Sequence, residues 1–283
     1  MTVRIVTDST ADLTTDEAAV LGVTLVPLTV SFGDEEFLDI VELDSASFYD
    51  KLQKTKDLPR TSQPSPASFQ AAYARLIEEG ADGIISVHLS SKLSGTYQSA
   101  CTARDTMPEE LRKVPIEVID TLSISGGMAF AIRKAADEVK QGLSLAEIKK
   151  QLIERTSRTH IFAVLDTLEY VKRGGRIGAA RALLGNMLSV KPIVTLKEGE
   201  VVPVEQPRTR SKAYTRVAQL TSELMPLEEL LIAESSTEVG EQLAGALKTI
   251  YPKAIQRYNL GGVLGTHTGP GTVAVIAISA PRE

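Results

Sequence analysis

The chain has 283 residues, 43% of them hydrophobic and 24% charged, which suits a globular protein with one large or two medium domains. A formal net charge of −5 and the lack of any long basic run argue against nucleic acid as a partner. The single cysteine, Cys101, rules out an internal disulfide and a thiolate-rich metal site, and its helical context makes it a core residue.

The start, MTVRIVTDST, lacks the charged head, apolar middle and small-residue cleavage site of a signal peptide. The longest uncharged stretch, residues 20–32, is shorter than the roughly 20 residues a membrane helix needs, and Pro27 interrupts it. The expectation is a soluble, cytoplasmic protein with at most transient membrane contact. Strands and helices then alternate. VRIVT predicts a strand, residues 14–21 a helix, VTLVPLTVSF a strand and DSASFYDKLQ a helix. Residues 66–79 predict another helix, with Ser65 as its cap and Pro66 at its first position. DGIISV and PIEVID, short apolar runs, predict buried strands, each followed by a helix; the second helix covers residues 125–140. Such alternation implies a parallel sheet with helices on both faces, whose ligands lie beyond the carboxyl ends of the strands. Three polar loops stand there: TDSTADL, LSSKLSGT and DTLSISGG.

Ser144 and Glu147 have the spacing of a capping box and open a helix at SLAEIKKQLIERT, which leads into the second half. THIFAVL predicts a strand, TLEYVKRGG a helix, and AARALLGNML another helix after a glycine-rich turn. KPIVTLKEGEVVPVEQ reads as two strands joined at Glu198 and Gly199, which brings in antiparallel pairing. A helix over residues 209–225, a strand at ELLIAES, a helix over 238–250 and two terminal strands complete the chain. The expected fold class is α/β in two domains, 1–157 with a parallel sheet and 158–283 with a mixed one.

Several polar groups stand out against this frame. In HLSSKLSGTYQSA, Ser90, Ser91 and Ser94 form an elbow between strand and helix, with His88 at the strand's end and Ser94 placed to cap a helix whose first turn holds Gly95 and Thr96. Thr61 and Ser62 precede the Ser65 cap in an exposed polar turn, where their hydroxyls suit an anion. Arg176 sits among Gly174, Gly175 and Gly178; the spacing matches no phosphate loop, but a guanidinium on a sharp turn suits a carboxylate or phosphate. His267 is placed in a loop before a Gly-Pro turn and is the histidine chosen for ligand contact, while His88 and His160 belong to strands. No metal-binding spacing exists, and Asp8 and Asp120, which end strands on the ligand side, read most simply as braces for their turns. Arg208, Arg210, Lys212 and Arg216 make the densest basic cluster, read by default as a solvated helix face.

DSTADL, TSQPSP, LSSKLSGTYQSA, GGRIG with LGNMLSVKPI, and HTGPG, in that order over nearly the whole chain, resemble the DegV family. One departure is Ala274, where the family's HTGPG is often followed by another glycine. The resemblance implies a two-domain α/β carrier that holds a long-chain fatty acid in a buried tunnel between and beside its domains. It also implies a partner, an ATP-dependent kinase subunit related to dihydroxyacetone kinases, which converts the acid to an acyl phosphate for phospholipid synthesis. The chain itself is then a non-catalytic monomer without cofactor or metal. By motif match, the Thr61 and Ser94 hydroxyls and the Gly95 N–H would hold the carboxylate, with His267 and Arg176 beside it and Ser62 and Asp8 as secondary candidates. Arg208 and Arg210 would dock the kinase.

The physics suits that reading. A buried carboxylate needs several donors, whereas a tail of about 16 carbons at about 0.8 kcal/mol per methylene supplies of order 10 kcal/mol from an apolar wall alone. Met128, Phe130, Leu183, Leu184 and Met187 are the candidate wall residues. Two alternatives stand beside the carrier. One is a serine hydrolase with Ser94 as nucleophile and His267 as base, although LSGTY lacks the G-x-S-x-G pattern. The other is a lipid-sensing regulator that works without a kinase.

Overall fold

The computed structural model describes residues 2–55, 58–186 and 190–281, the side chains of 183–186 excepted. Its first half runs β1 (Val3–Asp8), α1 (Thr15–Leu21), β2 (Val23–Val26), β3 (Thr29–Phe32), β4 (Glu35–Leu38), α2 (Ser45–Lys54) and β5 (Arg60–Ser62). It continues through α3 (Pro66–Glu78), β6 (Gly83–His88), α4 (Thr96–Asp105), β7 (Ile116–Asp120), α5 (Gly126–Lys140) and α6 (Leu145–Ser157). The second half runs β8 (Thr159–Val164), α7 (Glu169–Arg173), a 3-10 helix (Gly178–Asn186), β9 (Ile193–Lys197), β10 (Glu200–Glu205) and α8 (Arg210–Ser222). It closes with β11 (Leu227–Glu234), α9 (Thr237–Leu247), β12 (Gln256–Asn259), α10 (Gly262–Thr268) and β13 (Val273–Ser279).

Local signals start the helices as expected. The Ser65 hydroxyl accepts from the Ser68 N–H at 3.1 Å, with Pro66 at the first helical position. Ser144 and Glu147 form the capping box, and Thr14 and Glu17 form a second one that opens α1.

Strand order in the parallel sheet is β2-β1-β6-β7, and in the mixed sheet β10-β9-β8-β13-β11-β12. Alternation on the parallel sheet sends Val6, Ile84 and Val118 to one face, against α3 and α4, and Ile5, Ile85 and Ile119 to the other, against α5 and α6. The far side of α5 meets Ile161, Leu231 and Ile276 of the mixed sheet, whose outer face is covered by α8 and α9. Because α5 lies between two sheets, its residues Gly126 to Ile132 are buried without a break, as a helix without a water-facing side must be. This is the α/β architecture expected, with helices on both faces of the parallel sheet.

Four local expectations need correction. VTLVPLTVSF is not one strand: Pro27 has no N–H for a ladder, the Leu28 N–H turns away to the Ser9 hydroxyl at 3.2 Å, and β3 joins a separate antiparallel sheet, β4-β3-β5. Thr61 and Ser62 lie in β5, a short strand, and not in a turn. AARALLGNML, described as far as Asn186, winds there as a 3-10 helix and not as an α-helix. His267 stands on the last turn of α10, and the loop begins only at Gly269, whose φ of 77° ends the helix. The hairpin joining β9 and β10 does turn at Glu198 and Gly199, with φ of 51° and 80°. α10 packs on α7 of its own half and also reaches α2, β3 and β5 of the first half.

Candidate functional site

A cavity of about 130 Å³ opens beyond the carboxyl ends of β2, β6 and β7, against β8, β9 and β10 of the mixed sheet. Its walls are largely apolar. Ile161, Ala163 and Leu165 come from β8 and just after it, Val194 and Leu196 from β9, Val201 from β10, and Val263 and Leu264 from α10. On β8 strand alternation turns every second side chain inward, whereas β9 contributes Val194, Thr195 and Leu196 in succession. Leu28, Leu89, Leu93, Ile124 and Val171 close the remaining sides. The polar side chains in the wall include Thr61, Ser94, Arg176, His267 and Thr268.

Each polar group is delivered by a different element. On β5 the middle residue, Thr61, turns inward while Arg60 and Ser62 stay exposed, so Ser62 is not part of the cavity wall. The Thr61 Oγ1 lies 2.8 Å from His267 Nε2. Gly174 packs against the other face of this contact: a methyl group there would run into His267 Nδ1. Gly269 is likewise pressed onto the Tyr170 ring, which fixes the turn after α10. Thr268 turns its hydroxyl back to the Leu264 carbonyl at 2.9 Å.

His267 is neutral near pH 7. Burial, helped by the nearby Arg176 charge, pushes its imidazolium down to about 4. Its Nδ1 is buried without a hydrogen-bond partner. An unpaired N–H in that position is dearer than an unpaired ring lone pair, so the proton belongs on Nε2, which donates to Thr61 Oγ1. The Thr61 hydroxyl then has its own proton free to point into the cavity.

Arg176 is an exposed residue of the cavity wall and therefore marks its opening. Its Nε donates to the Leu93 carbonyl at 3.1 Å and its Nη1 to that of Gly174 at 2.6 Å, which ties the glycine turn to the elbow after β6. In that elbow the N-cap of α4 is Gly95, one residue later than expected. Ser94 stays close: its Oγ accepts from the Thr96 N–H at 3.3 Å and pairs with Thr96 Oγ1 at 2.9 Å. Gly95 is not itself part of the wall, and a methyl group on it would collide with the Gln63 amide. Thr61, Ser94, Arg176 and His267 thus converge, with Gly95 directly behind Ser94.

Other candidates lie elsewhere. Asp8 is fully buried outside the cavity wall, 2.9 Å from His88 Nδ1, and accepts from the N–H groups of Thr10 and Leu89 at 3.0 and 3.2 Å. Asp120 accepts from the N–H groups of Ser91 and Leu122 at 3.2 and 2.9 Å, so each aspartate braces a turn. Met128 and Phe130 belong to the core around α5 and do not line the cavity, because α5 is enclosed by the sheets. Met187 lies outside the described residues, as do the side chains of Leu183 and Leu184. Arg208 is exposed, whereas Arg210 donates to Asp166 Oδ1 at 2.7 Å, an oxygen that Lys191 Nζ also reaches at 2.5 Å. Burial alone would raise the Asp166 carboxyl, but Lys191 and Arg210 hold it below the usual range.

Among the described residues no group of three or more His, Cys, Asp or Glu is placed to hold a metal ion, and no helix is long and apolar enough to cross a membrane. His267 bonds Thr61 and Ser94 bonds Thr96, so the nucleophile–base hydrogen bond a hydrolase needs is not formed. What the cavity offers is a largely apolar chamber whose polar wall groups include the hydroxyls of Thr61 and Ser94, a neutral imidazole and a guanidinium, suited to a long apolar ligand with an anionic head.

Known proteins show the same organisation. The family model described as uncharacterised protein, DegV family, matches residues 2–280. A DegV domain-containing protein of Halalkalibacterium halodurans is 37% identical over 283 residues, covering 96% of this chain and 97% of that one. A DegV family protein from Thermus thermophilus, whose structure is described in terms of fatty acid binding, superposes with a TM-score of 0.88 at 34% identity, over 99% of this chain and 100% of that one. DegV of Bacillus subtilis, described as a fatty acid binding protein, gives a TM-score of 0.87 at 32% identity over the same shares of the two chains. With that agreement over almost its full length, the chain belongs to the DegV family.

Proposed function

We propose that this chain binds one long-chain fatty acid, tail in the apolar chamber and carboxylate among Thr61, Ser94, Arg176 and His267. The observation that carries the reading is the hydroxyl–imidazole pair of Thr61 and His267 at the polar side of an otherwise apolar cavity. In this reading Thr61 and Ser94 donate hydroxyl protons to the carboxylate, and the Gly95 N–H at the start of α4 adds a backbone donor. Neutral His267 orients Thr61 and adds no charge, so Arg176 supplies the positive counterpart. Family membership and fatty-acid-binding relatives support the choice of ligand.

The carrier presents its carboxylate at the opening marked by Arg176 to a separate ATP-dependent kinase related to dihydroxyacetone kinases, which makes the acyl phosphate. It works as a cytoplasmic monomer without cofactor and catalyses nothing alone. Arg208, exposed just before the Thr209 cap of α8, is the better of the two docking candidates, because Arg210 is paired with Asp166. The test is acyl phosphate formation from ATP and oleate or palmitate with the chain alone, with the kinase alone and with both. Product only in the mixture supports a carrier; ester hydrolysis by the chain alone, lost in Ser94→Ala, would replace it with the hydrolase.

A further inference from the structure

We propose that Asp12 and Asp39 are positioning residues that set His267 in place by gripping the opposite end of α10. The inference rests on reading His267 as a head-group residue. α10 has seven residues, about 10 Å of helix, with His267 in its last turn. At its start the Gly261 N–H donates to Asp12 Oδ1 at 2.9 Å and the Val263 N–H to Asp39 Oδ1 at 3.2 Å. Both carboxyl groups are buried, 4% and 0% exposed, so two acids from the first half of the chain hold one short helix from its last quarter.

The surroundings show that this grip is maintained against strain. Asp12, Ile40 and Ser125 all have positive φ, 55°, 68° and 57°, although none is glycine. They meet at this one place. Ser125 Oγ lies 2.5 Å from Asp12 Oδ2, and the Ile40 side chain is so near Gly261 that a methyl group there would touch it at 2.8 Å. An isoleucine held at positive φ persists only where its neighbours over-determine it, and such strain gathers at working sites. The helix is packed tightly along its length: Gly265 leaves no room for a methyl group against Phe48, one on Gly262 would be tight against the same ring, and the Tyr49 hydroxyl stands over Gly265. A rigid rod clamped at one end carries its other end to a fixed point, which the 2.8 Å contact between His267 and Thr61 requires.

A plain helix cap would need only one serine or asparagine at the surface. Here Asp8 and Tyr49 are the buried titratable groups that act on or answer to the pair, while Glu17, Glu42, Asp44, Arg257 and Tyr258 line the pocket that Asp12 also borders. Burial pushes Asp12 up to about 8 and Asp39 up to about 6, so near neutral pH Asp12 keeps its proton and Asp39 is ionised. The Asp12 bond is the shorter of the two, and both carboxyl groups accept through Oδ1.

The test reads His267 by NMR in the ligand-free protein, following its ring Cε1–H through a pH titration, together with the dissociation constant for palmitate. In Asp39→Ala the helix start is released and water reaches the imidazole, so the His267 midpoint should climb from about 4 toward the ordinary 6.5. Palmitate binding should weaken about tenfold. Asp39→Asn keeps the accepting oxygen and should restore both. Leu243→Ala, a core truncation in α9, should lower thermal stability and move neither. If Asp39→Ala does not fold, Asp39→Ser, which keeps a shorter cap, should show the same movement in smaller degree. An unmoved His267 midpoint in the folded Ala or Ser variant overturns the proposal, as does a Leu243→Ala variant that moves it equally. Since the titration needs no ligand, it stands or falls separately from the fatty acid reading, which palmitate binding alone decides.

Discussion

Thr61 and His267, 206 residues apart in the chain, meet at 2.8 Å where a three-residue strand from the first half faces a short helix from the second. Neither residue could serve alone. The imidazole without the hydroxyl would be a buried base with both nitrogens idle, and the hydroxyl without the imidazole would be free to turn its proton away from a ligand. Replacing Thr61 with valine keeps the shape and β-branching and removes only the hydroxyl. The expected result is an unchanged fold with fatty acid affinity lowered at least about tenfold, from a lost charge-assisted bond of roughly 1.5–3 kcal/mol. Isothermal titration with palmitate would check it, and an affinity within twofold of the parent chain would contradict it.

Acid should destabilise the protein through His267. Its folded-state midpoint, about 4, lies below the ordinary 6.5, so on acidification the unfolded chain takes up the proton first. The stability that its neutrality contributes is present above pH 6.5 and is lost as pH falls through 4. Asp12 and Asp39 act in the opposite sense: their raised midpoints, about 8 and about 6, give stability that fades as pH rises. Comparing the parent chain with His267→Gln cancels the aspartates. Urea unfolding should show the parent losing more stability than the variant between pH 7 and pH 5, and parallel losses would refute the assignment.

The chamber should accept bulk without harm to the fold. Ala163 lines it from β8, paired with Ala274 on β13. In a filled core Ala163→Phe would cost about 1–3 kcal/mol of overpacking. Here the ring can enter open space, so the thermal midpoint of the ligand-free protein should stay within a few degrees while bound lipid falls at least tenfold. A folded variant that still carries its full lipid would place the tail elsewhere.

Kinase docking is tested most cleanly at Arg208. Arg210→Glu would break the pair with Asp166 as well as change the surface, whereas Arg208→Glu alters an exposed charge alone. Arg208→Glu should slow kinase-dependent acyl phosphate formation and flatten its dependence on salt, with palmitate affinity unchanged. Turnover and salt response both equal to the parent would remove this residue from the interface.

The features legible in the sequence are those settled by neighbours in the chain. Ser65 before Pro66, the Ser144–Glu147 box and the Glu198–Gly199 turn are local decisions, and all three are seen. β6 and β7 announce themselves as apolar runs. By contrast, GGVLGTHT has too many glycines to read as a helix, and α10 forms because Asp12, Asp39 and Phe48 hold it from a distance. β5 is too short for its alternation to show, so nothing local distinguished inward Thr61 from outward Ser62. In the sequence apolar helices suggest the chamber's wall, yet α5 is apolar because two sheets enclose it, and much of the wall comes from β8, β9 and β10. Which apolar stripe faces a ligand and which faces plain core is a matter of tertiary packing.

The central claim, that the chamber holds one fatty acid by its carboxylate, is tested most directly by extracting the purified protein into organic solvent and quantifying the lipid by mass spectrometry. Close to one long-chain free fatty acid per chain is expected, falling severalfold in Ser94→Ala purified alongside. No fatty acid in the parent protein, even after incubation with palmitate and oleate, would contradict the claim.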